Sequence, residues 1–345
     1  MLGIPFLSVN TATMRISPNT QKNPRTTMRL KNLGKKIACK INPLSVRFSA
    51  GFTATLLALI CVSPHAADAP LASPPVLADI LKASTPSDWR SLDPNNTLYL
   101  ELATGRVVIE LAPQYAPKHV ANIKALVREK YFDGLVFIRS QDNYVVQWGD
   151  PTETRPIKTA EKTLKAEFST PIVKEIPFTS LPDPDTYAPV VGYSDALPAA
   201  RDPQSKLTWL AHCYGMVGAG RDNDADSGGG TELYVVIGHA PRQLDRNVTL
   251  VGRVMQGMEL LSSMPRGTAA MGFYDKPEQY VPIKSIRVAA DVPMSERSRL
   301  EVIRTDTSTF KAIVESQRFR GGDWYKVAAQ HVEVCNVPIP VRQQQ

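Results

Sequence analysis

The chain has 345 residues, of which 43% are hydrophobic, enough for one large domain or two ordinary ones with an apolar core. Its formal net charge of +7 is unevenly placed, because residues 1–50 hold nine Lys and Arg side chains and no Asp or Glu. The rest of the chain holds 31 of the 40 basic residues and all 33 acidic ones, so its net charge is −2. A near-neutral body has no general attraction for phosphate backbones, so nucleic acid is set aside as a partner.

The basic segment is followed by an uncharged run, residues 50–62, and then by the small residues Ala66 and Ala67. This order is typical of a secretory signal peptide. The run is shorter than the roughly 20 apolar residues of a membrane-spanning helix. We interpret 1–67 as a basic presequence and signal peptide. The mature chain is then expected to have no membrane span and to reside in the periplasm or outside the cell. An uncleaved membrane anchor is the alternative.

Residues 68–96 are rich in Pro and Ala and are predicted to form a linker with one short helix near Val76–Lys82. Alternating apolar residues then predict a hairpin, and apolar residues at helical spacing from Ala116 to Val127 predict a helix that begins at Pro117. Further strands are predicted at Leu135–Arg139, Tyr144–Trp148, Thr208–Cys213, Leu233–Ile237, Leu250–Val254 and Ile283–Ala289, with a short helix near Gly257–Met264.

Between these strands, residues 151–206 contain nine prolines and no clear period, and we interpret them as a long insertion on the surface. Strands dominate without regular alternation with helices, which favours a mainly β fold: a closed antiparallel barrel capped by two helices. The barrel domain is predicted to span 97–291. A small C-terminal extension, 292–345, would contain a strand at Leu300–Arg304, a helix at Ser308–Gln317 and a strand at His331–Val334.

Of the four cysteines, Cys39 and Cys61 would leave with the signal peptide. Cys213 and Cys335 remain as an even pair in an oxidising compartment, and we predict a disulfide that ties the extension to the barrel. Two separately buried cysteines are the alternative. No C-x-x-C motif, histidine pair at metal-ligand spacing or dinucleotide loop occurs, so neither a metal nor another cofactor is expected.

Seven short motifs, in a fixed order over residues 97–290, resemble the cyclophilins. They are Ala116-Pro117 with Val120 and Asn122; Tyr131 to Phe137; Phe137-Ile138-Arg139; Tyr144 to Asp150 (Y-V-V-Q-W-G-D); Gly215 to Gly220; Thr231 to Val235 (T-E-L-Y-V); and Leu244-Asp245 with Leu250 to Val254. Their order agrees with the predicted strands and helix. The resemblance implies an eight-stranded barrel with a proline-binding groove on its outside. It also implies that the protein catalyses cis–trans isomerisation of X–Pro bonds, with proline-containing peptides and unfolded exported proteins as its substrates.

The resemblance also implies roles for single residues. Arg139 would donate to the prolyl nitrogen and Gln147 would steady it, while Gly218 would offer backbone groups to the peptide. The apolar cup for the proline ring would consist of Tyr144, Val145, Tyr234 and Leu244. Glu232 stands where the family carries glutamine, and a carboxylate there could pair with Arg139 and alter the rate. A non-catalytic chaperone or binding module for proline-containing segments therefore stays open as the alternative.

Overall fold

The computed structural model describes residues 75–320 and 324–344, in which short antiparallel strands predominate. Its strands are β1 (Trp89–Ser91), β2 (Thr97–Leu102), β3 (Arg106–Leu111), β4 (Val136–Ser140), β5 (Val145–Gly149), β6 (Thr170–Pro171), β7 (Thr179–Ser180), β8 (Val190–Ser194), β9 (Leu197–Asp202), β10 (Leu207–Leu210), β11 (Met216–Ala219), β12 (Leu233–Val236), β13 (Leu250–Gln256), β14 (Val281–Val288), β15 (Leu300–Ile303) and β16 (Val341–Gln343). Its α-helices are α1 (Leu77–Ala83), α2 (Pro117–Arg128), α3 (Met258–Ser262) and α4 (Ser308–Arg318).

Eight of these strands form a closed antiparallel barrel in the order β11-β12-β5-β4-β14-β2-β3-β13. The closed eight-stranded antiparallel barrel predicted from the sequence is thereby confirmed. Along β5, Val146 and Trp148 are fully buried in the barrel core, and Gln147 between them is partly exposed. Because side chains alternate between the two faces of a strand, Gln147 lies on the outer face.

Two helices cover the barrel core, as the sequence predicted. Helix α2 begins at Pro117, whose fixed φ suits the first turn, and buries Val120, Ile123 and Val127 against the barrel. Helix α3 contributes Leu261 to the same core. The apolar stripe of α2 supplies the packing energy that a helix of three turns lacks on its own.

The interpretation of residues 151–206 as a surface excursion was wrong. Strands β6 to β9 lie in this insertion and join β10 in a five-stranded sheet of order β6-β10-β9-β8-β7. Tyr193, Leu197 and Trp209 are buried in a second hydrophobic core beside that of the barrel. The strand predicted at Thr208–Cys213 is β10, which ends at Leu210 and belongs to this sheet, and β11 takes its place in the barrel.

The segments predicted as a linker and as a C-terminal extension fold together with the insertion. Strand β1 pairs with β15, which pairs with β16, so residues near 90 and 300 share a three-stranded sheet. The ring of Phe310 on α4 lies 5.2 Å from that of Tyr193 in the insertion. The predicted strand at His331–Val334 does not form; a 3-10 turn at Val334–Asn336 occupies its end. Such short, shared elements lack the periodicity that reveals longer strands.

A disulfide joins Cys213, just before β11, to Cys335 in the C-terminal extension, with 5.0 Å between their Cα atoms. It connects the barrel to the extension, as expected from the sequence. The presequence, the signal peptide, Cys39 and Cys61 lie outside the described residues. Within residues 75–320 and 324–344, no helix is long and apolar enough to cross a membrane.

Candidate active site

A groove of about 1210 Å³ lies on the outer face of the barrel. Seven of the eight residues predicted for the site line it: Arg139, Tyr144, Val145, Gln147, Glu232, Tyr234 and Leu244. The barrel register explains why three of them meet, because Arg139 on β4 lies opposite Gln147 on β5, which lies opposite Tyr234 on β12. One row of outward-facing side chains thus crosses three neighbouring strands.

The guanidinium of Arg139 is buried and held from three sides. Its Nε donates to the carbonyl oxygen of Met271 at 2.6 Å, and its Nη1 donates to Oε1 of Gln147 at 3.2 Å. Its Nη2 donates to Oε1 of Gln141. Burial lowers the pKa of Arg139 below its usual value, and its delocalised charge remains at neutral pH. Three anchors on a planar group fix both its position and its orientation.

One anchor of Arg139 comes from a segment that carries no sequence signal. We call residues 265–274 the strap. The strap runs along β4: the amide of Gly267 donates to Ser140 at 2.9 Å, and the amide of Tyr274 donates to Ile138 at 3.0 Å. Because the strap contacts Arg139 through a backbone carbonyl, which every residue type has, side-chain motifs could not have revealed it.

Aromatic rings flank the same guanidinium on two sides. Its carbon atom lies 5.4 Å from the ring centre of Tyr144 and 5.4 Å from that of Phe273 in the strap. A cation within about 6 Å of an aromatic face is attracted by the ring quadrupole. Tyr144 was predicted for the site as an apolar residue, whereas the contribution of Phe273 was missed.

Glu232 does not pair with Arg139: none of the ion pairs among the described residues joins them. Its carboxylate instead accepts a 2.5 Å hydrogen bond from Nε2 of Gln147, which turns the amide oxygen of Gln147 towards Arg139. Gly149 makes room for it, since a Cβ there would lie 2.6 Å from Cγ of Glu232. Burial raises the pKa of Glu232, with nearby carboxylates acting in the same direction and the bond from Gln147 opposing them.

The apolar part of the groove lies beside Arg139. Val145 and Tyr234 belong to one small buried cluster with Val236, against which Tyr144 and Val248 pack. Leu244, on a 3-10 turn at Arg242–Leu244, borders the same groove. The residues expected to form a cup for a proline ring therefore lie together, with the guanidinium of Arg139 next to them.

Gly218 was predicted to offer backbone groups to the peptide. It does not line the groove; Tyr234 covers it, and a Cβ at Gly218 would lie 2.2 Å from Cζ of that ring. The absence of a side chain at Gly218 lets the ring lie flat against β11. Gly220, two residues later, lines the groove instead.

The family model described as "Cyclophilin type peptidyl-prolyl cis-trans isomerase/CLD" matches residues 97–288, more than half of the chain. The chain belongs to the cyclophilin family. This cyclophilin is 28% identical over 178 residues to a "Probable peptidyl-prolyl cis-trans isomerase" of Brucella suis. The aligned residues cover 52% of this chain and 76% of that protein. It is also 28% identical over 194 residues to "Peptidyl-prolyl cis-trans isomerase-like 1" of Gibberella zeae, covering 56% of this chain and 95% of that protein.

Among solved structures, this cyclophilin is similar to "cyclophilin AquaCyp293" from Hirschia baltica, with a TM-score of 0.62 and 25% identity. The match covers 75% of this chain and 96% of the other, which is more than the residues matched by the family model. The family model, the relatives and the solved structure together make the chain a peptidyl-prolyl cis-trans isomerase of the cyclophilin type.

We expect Glu232→Gln to change kcat/KM by less than about three-fold. The glutamine oxygen can accept the same hydrogen bond from Gln147, so Arg139 keeps its partner in the planar and the twisted state alike, and only a difference between the two states changes the rate. A coupled isomerisation assay on an Xaa-Pro peptide measures it. A large increase in kcat/KM, absent from an Arg139→Ala background, would instead mean that the carboxylate draws the guanidinium from the substrate.

Proposed function

We propose that this cyclophilin accelerates rotation about X–Pro bonds in exported proteins, with Arg139 donating a hydrogen bond to the prolyl nitrogen. The observation that carries the proposal is that three hydrogen bonds hold the guanidinium of Arg139 beside an apolar cup. A guanidinium has five N–H donors. In the described part of the chain, Arg139 uses three of them on Met271, Gln147 and Gln141, which leaves two for a substrate.

The physical reason lies in the electronic structure of the amide. Rotation breaks amide resonance against a barrier of roughly 18–20 kcal/mol, which makes the uncatalysed step slow. As the bond twists, the prolyl nitrogen becomes pyramidal and gains a lone pair, which the planar ground state lacks. A fixed donor therefore stabilises the twisted state more than the planar one, and only this difference accelerates the reaction.

The anchoring of Arg139 matters to this mechanism because a donor that must first reorganise loses part of its effect. The strap, Gln141 and Gln147 hold the guanidinium before any substrate arrives. Tyr234, Leu244 and the rest of the cup would hold the proline ring against it. The chemistry needs no group other than these side chains, and no cluster that could hold a metal occurs among the described residues.

Two features support the export of this cyclophilin. The basic segment, the apolar run and the small residues at Ala66 and Ala67 form the pattern of a signal peptide. The disulfide between Cys213 and Cys335 fits an oxidising compartment. We expect the mature protein from the cell envelope to begin near Ala67 or Asp68, which N-terminal sequencing measures. Recovery of the full-length chain from the cytosol would contradict export.

The test of activity is a protease-coupled isomerisation assay on a short Xaa-Pro peptide, repeated by exchange NMR spectroscopy without protease. Acceleration by the wild type supports the isomerase. If a peptide binds in the groove but its isomerisation is not accelerated, the protein is instead the non-catalytic binding module that the sequence left open. The variants of Arg139 described below then identify the donor.

A further inference from the structure

A loop of the insertion, residues 183–187 between β7 and β8, forms two bidentate ion pairs with different parts of the molecule. Asp185 accepts from Nη1 and Nη2 of Arg242 at 2.9 and 3.0 Å, and Arg242 belongs to the 3-10 turn that borders the groove. Asp183 accepts from Nε and Nη2 of Arg318 at 2.8 and 2.9 Å, on α4 of the extension. The two pairs have the same chemistry, but only the first one reaches the groove.

From Arg242 the hydrogen bonds continue to the floor of the groove. Nε of Arg242 donates to Asp245 at 2.6 Å, Asp245 lies 3.0 Å from Nδ1 of His212, and Nε2 of His212 lies 2.9 Å from the hydroxyl of Tyr234. We call these five residues, Asp185, Arg242, Asp245, His212 and Tyr234, the buried relay. Each of their side chains is at most 7% exposed, so the relay is shielded from water over its whole length.

The direction of the hydrogen bonds follows from the chemistry of the groups. A carboxylate only accepts, so Nδ1 of His212 carries the hydrogen that lies towards Asp245. In the neutral imidazole Nε2 is then an acceptor, and the hydroxyl of Tyr234 donates to it. The backbone amide of His212 also donates to Asp245, at 2.8 Å. Burial alone would lower the pKa of Arg242, but the carboxylates of Asp185 and Asp245 raise it, so the cation is held firmly.

The buried relay adjoins the apolar cup at two of its members, Arg242 and Tyr234. Leu244 follows Arg242 on the same turn and lines the groove, and the ring of Tyr234 lines the groove from β12. The planes of the imidazole of His212 and of that ring are 11° apart, with 6.4 Å between the ring centres. Two walls of the cup, which come from different elements, are therefore tied to one carboxylate of the insertion.

We propose that Asp185 is a positioning residue of this isomerase, which sets the fit of the prolyl ring by fixing Leu244 and Tyr234 through the buried relay. The proposal rests on the proposed function of the groove. The insertion thus forms an outer support of the substrate pocket. Asp185 touches no substrate; it acts through Arg242, whose turn carries Leu244, and through Asp245 and His212, which hold the hydroxyl of Tyr234.

The decisive variant is Asp185→Asn, which preserves the shape of the side chain but removes the charge and one acceptor. We expect KM for an Xaa-Pro peptide to rise about ten-fold, equivalent to about 1.4 kcal/mol, with kcat within two-fold of the wild type. Asp183→Asn is the matched control, because it breaks the same kind of pair in the same loop. We expect it to lower the melting temperature and to leave KM unchanged.

Tyr234→Phe tests the other end of the buried relay by removing only its hydroxyl. We expect a rise in KM there too, and a smaller effect of Asp185→Asn in this background than in the wild type, since residues in one network are coupled. The proposal is overturned if folded Asp185→Asn has the wild-type KM, or if Asp183→Asn raises KM equally. It is also overturned if the effects of Asp185→Asn and Tyr234→Phe on KM simply multiply in the double variant. Should Asp185→Asn fail to fold, Tyr234→Phe with wild-type KM would also overturn it.

Peptide affinity, measured by isothermal titration calorimetry, separates this proposal from the proposed function. A wild type that binds the peptide without accelerating its isomerisation would contradict the isomerase mechanism. In that case Asp185→Asn should still raise the dissociation constant of the peptide about ten-fold above the values of the wild type and of Asp183→Asn, equivalent to about 1.4 kcal/mol. An affinity unchanged by Asp185→Asn would overturn the positioning role alone.

Discussion

Replacing Arg139 with alanine is expected to lower kcat/KM about 10²–10³-fold, equivalent to ~2.7–4 kcal/mol of lost electrostatic stabilisation. The reason is that Arg139 would interact with the prolyl nitrogen only when that nitrogen becomes pyramidal. Peptide affinity should change little, because the apolar cup does not depend on the guanidinium. The fold should also persist, since two of the three groups that anchor Arg139, those of Met271 and Gln147, border the groove and can be hydrated. Kinetics, calorimetry and circular dichroism measure these three quantities.

Two further arginine variants sharpen the interpretation. Arg139→Lys should restore only part of the rate, because an ammonium cannot reproduce the planar fork that contacts Met271, Gln147 and Gln141. Arg128→Ala removes an exposed arginine that pairs with Asp291 on the surface, and we expect wild-type kinetics from it. Wild-type kcat/KM in a folded Arg139→Ala protein would refute the mechanism.

Removing the disulfide is expected to lower the free energy of unfolding by about 3–5 kcal/mol. Cys213 and Cys335 are 122 residues apart in the sequence, so the bond restricts a long loop of the unfolded chain. In a Cys213→Ala/Cys335→Ala variant the melting temperature should fall by about 6–20 °C. Differential scanning calorimetry and urea unfolding measure the two quantities.

The reduced wild type is the matched control for that variant, because reduction breaks the bond without changing a residue. Reduction should destabilise the wild type by a similar amount and should not affect the double variant. A variant that is less stable than the reduced wild type would reveal the packing contribution of the buried Cys213. Two free thiols titrated in the unfolded protein, isolated from the cells that make it naturally, would contradict the presence of the bond.

The sequence predicted the barrel because its strands obey simple rules. Residues such as Val146 and Trp148 alternate with outward-facing ones, and the apolar stripe of α2 has helical spacing. The sequence also predicted that Arg139 and Gln147 belong to one site, because both lie in motifs at fixed positions in neighbouring strands. Properties that depend on local sequence patterns were therefore accessible from the sequence.

Contacts between distant segments were not accessible in this way. Asp185 and Arg242 are 57 residues apart and lie in no common motif, and Met271 contributes only a carbonyl. The strands of the insertion are two to six residues long and are interrupted by prolines, so periodicity gave no signal. Glu232 was identified as unusual, but which group it would contact depended on a strand register that the sequence does not specify.

The pairing of β1 with β15 has a consequence for the order of folding. Trp89 lies opposite Ile303, so this sheet joins segments more than two hundred residues apart, and such non-local pairing slows folding. The last barrel strand, β14, ends at Val288, before β15 has emerged during synthesis or transport. The barrel can therefore close while Tyr193 and Trp209 of the insertion still lack their C-terminal partners. During that interval the apolar face of the insertion lacks its cover, and such exposed apolar surface favours aggregation until the C-terminal extension packs on it.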